Sequence, residues 1–501
     1  MPELLFDHIV VLMLENRSFD HLFGYLGKGE GLPADVVNYE KPGVTSSKAF
    51  HPRKGGDFTA IGDGPSHSLK STNLQLFGVA EPDAATSAAI PPLSGFVKSF
   101  QNTLTAKLKR KPTDSEVQQV MNVFEPVQLP VLSTLAKEFV LCDRWFADVP
   151  GPTMPNRAFV HAATSQGYTY NADWKPVFTC KTLYDRINDD PSRSWRVYSH
   201  DSDEVMQLYP NVKRTAANSA LFAERFLSDV AADRLPSYSF IIPGFFGEHH
   251  QPANSMHAPQ DVRPAERLVA DIYGALRDHP EVWKKTLFMI VFDENGGYYD
   301  HVPPPKTVSP DNIAGRLDQP FLVPFDFKRL GLRVPCILVS PWFKAGVDST
   351  VYSHSTIPGS VIEAFGLPKG FLTKRDKEAN KLTETYLTKK PGQVWRTNTP
   401  DLAAPVQPAI FDELQRELLD GSVHLDPHPR ARNVLRTRDI QDHKQARAFI
   451  RTQIAKHLEH SFAWKGRAKP AREPSADNQP AMPQVSSSRI AELRRAGRKR
   501  G

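Results

Sequence analysis

TLFMIVFDENGG, residues 286–297, is the stretch on which the fold of this chain turns. Residues 287–292 are apolar and largely branched or aromatic with no polar alternation, the pattern of a strand covered on both faces. The run ends in two acids and, after Asn295, two glycines, so a buried strand delivers Asp293 and Glu294 to one sheet edge on a backbone that permits close approach. Three further segments share the pattern: His8–Leu14, Tyr238–Ile242 and residues 334–339. Before residues 287–292 comes an amphipathic stretch, residues 264–278, where Leu268, Ile272 and Leu276 recur every fourth position beside Val269 and Tyr273. Pro264 suits its first turn, and His279-Pro280 closes it. Strand, helix and strand in series predict a right-handed crossover, and with it an α/β fold: a mostly parallel central sheet with helices on both faces.

Ligands of such sheets gather beyond the carboxyl ends of the strands. There His8–Leu14 runs into Glu15-Asn16, residues 287–292 into Asp293-Glu294, and Tyr238–Ile242 into Pro243-Gly244 and then Glu248-His249-His250. Three carboxylates and one amide oxygen at the ends of rigid strands make a hard-oxygen site for one divalent metal ion of undetermined identity, with Glu15, Asn16, Asp293 and Glu294 as ligands. Taken singly, each pair reads equally well as loop-edge acids or partners of an arginine such as Arg17. Residues 30–120, rich in Gly, Pro and Ser, read as an irregular cap over this edge, and residues 303–329 read the same way.

A chain of 501 residues with 40% apolar content buries a large core. The expected division is a catalytic domain over 1–395, a helical extension over 396–464 packed on the core through Phe449, Ile450, Ile454 and Leu458, and a disordered basic tail over 465–501. That tail holds ten Lys/Arg against three Asp/Glu, a net of +7, which leaves the rest of the chain at −1 within a total of +6. The basicity therefore belongs to the tail, and no nucleic-acid partner is expected. A solvated tail is the first reading, and weak contact with anionic membranes the second. Cys142, Cys180 and Cys336 are odd in number and lack CxxC spacing, which excludes a disulfide framework and a thiolate metal site. With no export signal in MPELLFDHIVVLML and no apolar run near the roughly 20 residues a bilayer requires, a cytoplasmic location is expected.

Two more elements bear on chemistry. PGPTMPNR, residues 150–157, constrains the backbone around Thr153 with glycine and prolines, and a helix-like run from Asn156 to Ala163 would place amide donors near an anion. Thr153 is then either a nucleophile beside a metal or an ordinary helix cap. His67, His249, His250, His257, His301 and His354 all fall in polar loops next to strands, where several together could bind a phosphoryl group and protonate a leaving oxygen. Walker, GxGxxG, HExxH and GxSxG patterns are absent, which leaves metal-assisted ester hydrolysis.

HIVVLMLENRSFDHLFGYL, RWFADVPGPTMPNRAFVHAATS, FMIVFDENGGYYDHVPPP and VPCILVSPWFKAGVDSTVYSHS together resemble the phosphoesterase family of non-specific phospholipases C and bacterial acid phosphatases, over about residues 5 to 370. The resemblance implies an alkaline-phosphatase-like core, one metal site and a covalent phospho-enzyme. It implies metal binding by Glu15, Asn16, Asp293 and Glu294, a nucleophile at Thr153 and phosphoryl contact from Asn156. His67 and His257 look like the family's phosphate-contacting histidines, and His301 and His354 match its other histidine positions, His301 as a further catalytic candidate and His354 as a substrate contact. The phospholipase members usually read DEHGG where this chain has Asn295, and the secreted members carry an export signal. The expected substrate is a phosphate ester, with phospholipid one candidate. Phospholipase C-like diester cleavage leads, phosphomonoester hydrolysis follows, and a non-catalytic binding protein on a hydrolase fold is the reading from another class.

Overall fold

Both faces of the strand that runs into Asp293-Glu294 are covered: all seven residues of Thr286–Phe292 are buried, as are six of the seven in His8–Leu14. The computed structural model describes residues 6–172, 174–246, 252–382, 418–419, 422–425, 440 and 443–465. Its central sheet has eight strands, numbered here β1 (His8–Leu14), β2 (Val140–Cys142), β3 (Trp195–Ser199), β4 (Ser219–Leu221), β5 (Tyr238–Ile242), β6 (Thr286–Phe292), β7 (Cys336–Val339) and β8 (Gly346–Asp348). Their order across the sheet is β8-β2-β7-β6-β1-β5-β3-β4. Only β7 opposes its neighbours, being antiparallel to both β6 and β2, so the sheet is mostly parallel as its apolar runs implied.

The amphipathic stretch forms the helix Arg263–Arg277, whose Leu268, Val269, Ile272, Tyr273 and Leu276 are buried. It links β5 to β6, and β1 lies between those two strands. Residues 334–339 yield a shorter strand than expected, because Val334 donates its N–H to the Trp145 carbonyl and ladder pairing with β6 begins only at Cys336.

The cap is more regular than its composition suggested. Residues 69–77 and 96–108 are helices, and Phe96, Val97, Phe100 and Leu104 build a separate small core with Leu76, Phe77 and Val120. Those four apolar residues stand at helical spacing, a signal the surrounding Gly, Pro and Ser obscure. Residues 303–329 contain no helix, only an isolated bridge between Lys306 and Arg329.

Residues 1–461 belong to one compact unit. Within it Ala446, Ile450 and Ile454 of the helix His443–Lys465 join the main core with Leu418, Leu419 and Leu425, and Phe449 packs against it. The side chain of Leu458, the sequence beyond Lys465 and Glu248-His249-His250 lie outside the described residues. Among the described residues no helix is long and apolar enough to cross a membrane.

Candidate active site

β1 and β6 pair in register from His8 opposite Thr286 to Leu14 opposite Phe292, so the next residues, Glu15 and Asp293, leave the sheet side by side. The chain turns at once through Asn16, which adopts the left-handed conformation (φ 52°) that asparagine tolerates better than most residues. Gly296 (φ 62°) comes so close that a Cβ there would lie 2.1 Å from the Asn16 carbonyl oxygen. Asp293 Oδ1 accepts the N–H groups of Asn16 (2.9 Å) and Glu294 (2.7 Å), and Glu294 Oε2 accepts that of Gly296 (2.7 Å). Each carboxylate thus spends one oxygen on its own orientation.

The other oxygens, Asp293 Oδ2 and Glu294 Oε1, are buried and have no hydrogen-bond partner among the described residues. Orphaned buried acceptors of this kind are costly unless a cation meets them. Burial, and then the charge of Asp293, push the carboxyls of Glu15 and Glu294 well above the usual carboxylate range; Arg157 pulls Glu15 the other way. Three convergent acids with one amide oxygen and two unsatisfied acceptors fit a hard divalent cation.

Thr153 opens the helix Thr153–Ala162, three residues earlier than the expected run, with Pro155 tolerated in its first turn. Its Oγ1 lies 3.2 Å from Glu15 Oε2 and 3.5 Å from Asn16 Oδ1. One turn along, Arg157 donates from Nη1 to Glu15 Oε1 (2.6 Å), and its Nε stands 2.9 Å from Glu204 Oε2. A further turn along, His161 Nε2 meets Glu204 Oε1 at 3.0 Å, and Tyr184 reaches His161 Nδ1 at 3.0 Å. Thr153, Arg157, Glu204, His161 and Tyr184 are all buried. Arg157 and Glu204 were not singled out in the sequence. The fourfold spacing from Thr153 to Arg157 was the available signal, whereas nothing local marks Glu204.

Above this floor opens a cleft of 620 Å³ lined in part by Thr153, His67, His257, Tyr170 and Phe321. His67 comes from the cap, whose Ser66 carbonyl lies against Gly297: a Cβ on that glycine would stand 2.6 Å away. His67 Nε2 is 3.3 Å from Asn16 Nδ2 and 3.7 Å from Glu294 Oε1, and Nδ1 is 3.2 Å from the Pro65 carbonyl, which places the proton of a neutral ring on Nδ1. His257 follows β5 on a loop tied to the β1 end, where Glu15 N–H donates to the Ser255 carbonyl and Arg17 donates twice to that of Met256. The two imidazoles meet edge to face with centroids 5.9 Å apart.

Three residues expected at the substrate have other engagements. Asn156 Oδ1 accepts the Val149 N–H (2.9 Å) while Nδ2 faces the carbonyls of Val149, Gly151 and Pro152, so its amide shapes the loop before Thr153. His354 is fully buried: Trp145 Nε1–H donates to Nδ1 (3.2 Å) and Nε2–H donates to the Asp293 carbonyl (2.5 Å), which makes it a support beneath Asp293. His301 turns its Nδ1 to Asp20 Oδ2 (2.6 Å), in a cluster with Asp300 and Arg333. Asp20, Asp300 and His301 are close enough together to hold an ion. Arg333 already lies 2.9 Å from each carboxylate, and its charge serves in place of one.

The chain matches the phosphoesterase family over residues 6–368. It is 32% identical to non-specific phospholipase C3 of Arabidopsis thaliana over 94% of this chain and 90% of that protein. It is 27% identical to phospholipase C B of Mycobacterium tuberculosis over 76% of this chain and 77% of that one. A protein in the alkaline phosphatase superfamily from Vibrio parahaemolyticus is similar at 12% identity and TM-score 0.28, over 51% of this chain and 65% of that one, a likeness that bears on neither site nor activity. With 363 residues of sequence matched, and Thr153 at the cleft wall in hydrogen-bonding reach of Glu15 within that stretch, the chain belongs to the phosphoesterase family, hydrolases of phosphoric ester bonds.

Proposed function

We propose that the protein is a metal-dependent phosphodiesterase of the phospholipase C type, working by double displacement through Thr153. The observation that carries this reading is the placement of Thr153 Oγ1, at a helix N-terminus, 3.2 Å from Glu15 and 3.5 Å from Asn16, the residues that follow the strand paired with the one running into Asp293. Glu15, Asn16, Asp293 and Glu294 would hold the cation, which supplies positive charge that favours the alkoxide of Thr153 and offsets the phosphoryl oxygens. Thr153 Oγ1 forms a bond to phosphorus as the bond to the alcohol oxygen breaks. His257, lining the cleft, gives its proton to the departing alcohol. Water then attacks phosphorus and gives its proton to the now neutral His257, which restores the acid, while the bond to Thr153 Oγ1 breaks and the oxygen regains from solvent the proton it released on attack. His67 and the first turn of the Thr153–Ala162 helix face the phosphoryl group.

The preference for diesters rests on the relatives named as phospholipases C, and the acid phosphatase alternative is separated by one assay on chromogenic phosphodiester and monoester substrates in parallel. Thr153→Ala tests the nucleophile: turnover is expected to vanish while bound metal, read by elemental analysis, stays at the parental level. Thr153→Ser keeps a measurable fraction of activity, because it keeps the hydroxyl and loses only the methyl that restricts χ1. A folded, metal-loaded Thr153→Ala protein with parental turnover defeats the mechanism.

A further inference from the structure

The mouth of the cleft carries an apolar projection that the reaction does not use. Among the described residues nine large apolar side chains stand exposed, and three of them, Ile313 (44%), Leu317 (60%) and Phe321 (54%), fall within one nine-residue segment. Single exposed apolar residues are ordinary, but a local concentration at a site entrance calls for an occupant.

This segment is held firmly at its base. Gly315 N–H donates to the Phe325 carbonyl (2.8 Å), Arg316 N–H to the Gly167 carbonyl (2.8 Å), and the Arg316 guanidinium lies 4.0 Å over the Tyr168 ring. The tip is a turn closed by the Leu322 N–H on the Gln319 carbonyl (3.2 Å), with Pro320 and Phe321 at its corners. Tyr170 braces it, donating to Asp318 at 3.3 Å and meeting Phe321 edge to face at 5.9 Å. Leu317 and Phe321 are therefore presented to water by an ordered scaffold, with no cover from the chain itself among the described residues.

The same cleft is lined by the end of the helix Phe96–Leu108, through Thr103, Ala106 and Lys107. It runs into Lys109-Arg110-Lys111, all exposed. Lys107 pairs with Asp63 and Arg110 with Glu116, whereas Lys109 and Lys111 have no ion-pair partner among the described residues. The cleft is thus reached by an apolar, aromatic segment at Phe321 and by a helix end at Lys107 that runs into a basic one. An anionic bilayer offers the complement to both: an acyl layer to receive Leu317 and Phe321, and headgroup phosphates for Lys109 and Lys111.

We propose that the 313–321 projection and the Lys109-Arg110-Lys111 rim dock this enzyme on the surface of an anionic phospholipid bilayer, with the cleft facing the lipid. This rests on the phosphodiesterase reading above and assigns its substrate to lipid presented in a membrane. Docking by two weak signals of different kinds is reversible, which suits an enzyme that must release one product into the membrane and another into water.

The test uses the full chain and phosphatidylcholine vesicles with and without phosphatidylserine, read by co-sedimentation, beside turnover of a soluble chromogenic phosphodiester. Leu317→Ser should weaken vesicle binding by about tenfold. Lys109→Asn with Lys111→Gln should weaken it by about fivefold per charge, only where phosphatidylserine is present, and asparagine suits the left-handed conformation of residue 109 (φ 56°). Soluble turnover should be unchanged in both, which also shows that the variants fold. Vesicle binding unaltered by Leu317→Ser overturns the proposal and assigns any attraction to another part of the chain. A parental protein that cleaves the soluble diester yet binds no vesicles also overturns it and leaves the phosphodiesterase reading intact. Binding without cleavage of the diester defeats that reading and leaves the docking surface.

Discussion

Two buried groups of carboxylates lie near the ends of β1 and β6, and they differ in what neutralises them. In one, Asp20 and Asp300 share Arg333, whose Nη2 and Nε lie 2.9 Å from each, whose Nη1 donates to the carbonyls of Glu30 and Asp143, and beside which His301 contacts Asp20. In the other, Arg157 reaches Glu15 alone of the strand-end acids and spends its Nε on Glu204, and Asp293 Oδ2 and Glu294 Oε1 have no hydrogen-bond partner among the described residues. Ionic density alone therefore does not mark a reactive site. The distinguishing property is incomplete satisfaction: a closed network stabilises one geometry, and an open one holds a place for a ligand.

Breaking the open group should produce the largest effect. Asp293→Asn or Glu15→Gln removes an anionic donor, and turnover is expected to fall by about 10²–10³-fold or more with loss of bound metal, measured by elemental analysis and steady-state kinetics. For Asp293→Asn the thermal midpoint without metal should hold or rise, because repulsion between Glu15 and Asp293 is relieved, whereas Glu15→Gln also gives up the buried pair with Arg157 and should lower it. Full metal occupancy in both variants would remove the basis for calling this group the metal site.

Breaking the closed group should do the reverse. Arg333→Met leaves buried Asp300 without its guanidinium and Asp20 with His301 alone, and is expected to cost about 3–5 kcal/mol in denaturant unfolding, with turnover per folded molecule close to parental. A more modest loss, about 1.5–3 kcal/mol, is expected for His301→Gln, which gives up a charge-assisted bond to Asp20. Burial depresses the His301 imidazole, but Asp20 and then Asp300 outweigh that and hold it above its ordinary range. Were His301 the acid of the reaction, His301→Gln would instead abolish the basic limb of the pH–rate profile with little change in stability.

A third buried carboxylate, served by no cation, supplies the smallest effect. Glu266 accepts the N–H groups of Val131 (2.7 Å) and Leu132 (3.0 Å) at the start of the helix Pro130–Glu138, and burial nonetheless pushes its carboxyl up to about 7. With the folded value raised above the ordinary 4.5, the folded protein binds more protons between those limits. Its contribution is full below pH 4.5 and is lost as the pH rises through 7, at about 1.4 kcal/mol per pH unit at most. Glu266→Gln should flatten the fall of stability across that window, and an unaltered slope in urea titrations at several pH values would show that the group does not titrate there.

The contrast also explains what the sequence disclosed. β1, β5 and β6 were legible because a covered parallel strand must be apolar throughout, and the acids at their ends stand out against that background. Glu15, Asn16, Asp293, Glu294 and Thr153 do converge in space. What stayed hidden is the bonding of each polar atom: Asn156, His301 and His354 belong to the same motifs, yet their partners at Val149, Asp20 and Trp145 lie 7, 281 and 209 positions away. The Phe96–Leu108 helix was missed for a different reason, since its apolar spacing is short and set among turn-forming residues.

One helix carries Thr153, Arg157 and His161 at steps of four residues. An α-helix advances about 100° per residue, so a step of four returns a side chain to within about 40° of the same azimuth, and changing that step by one residue rotates it by about 100° from where it stood. The helix repeat thus acts as a ruler between the Thr153 hydroxyl and the guanidinium that pairs with Glu15. All ten residues of this helix are buried, so a substitution is felt through packing but leaves the phase untouched, whereas inserting or deleting a single residue between 153 and 157 would turn the guanidinium away from Glu15 while Thr153 kept its place. For this protein, length in that turn is a stricter constraint than identity.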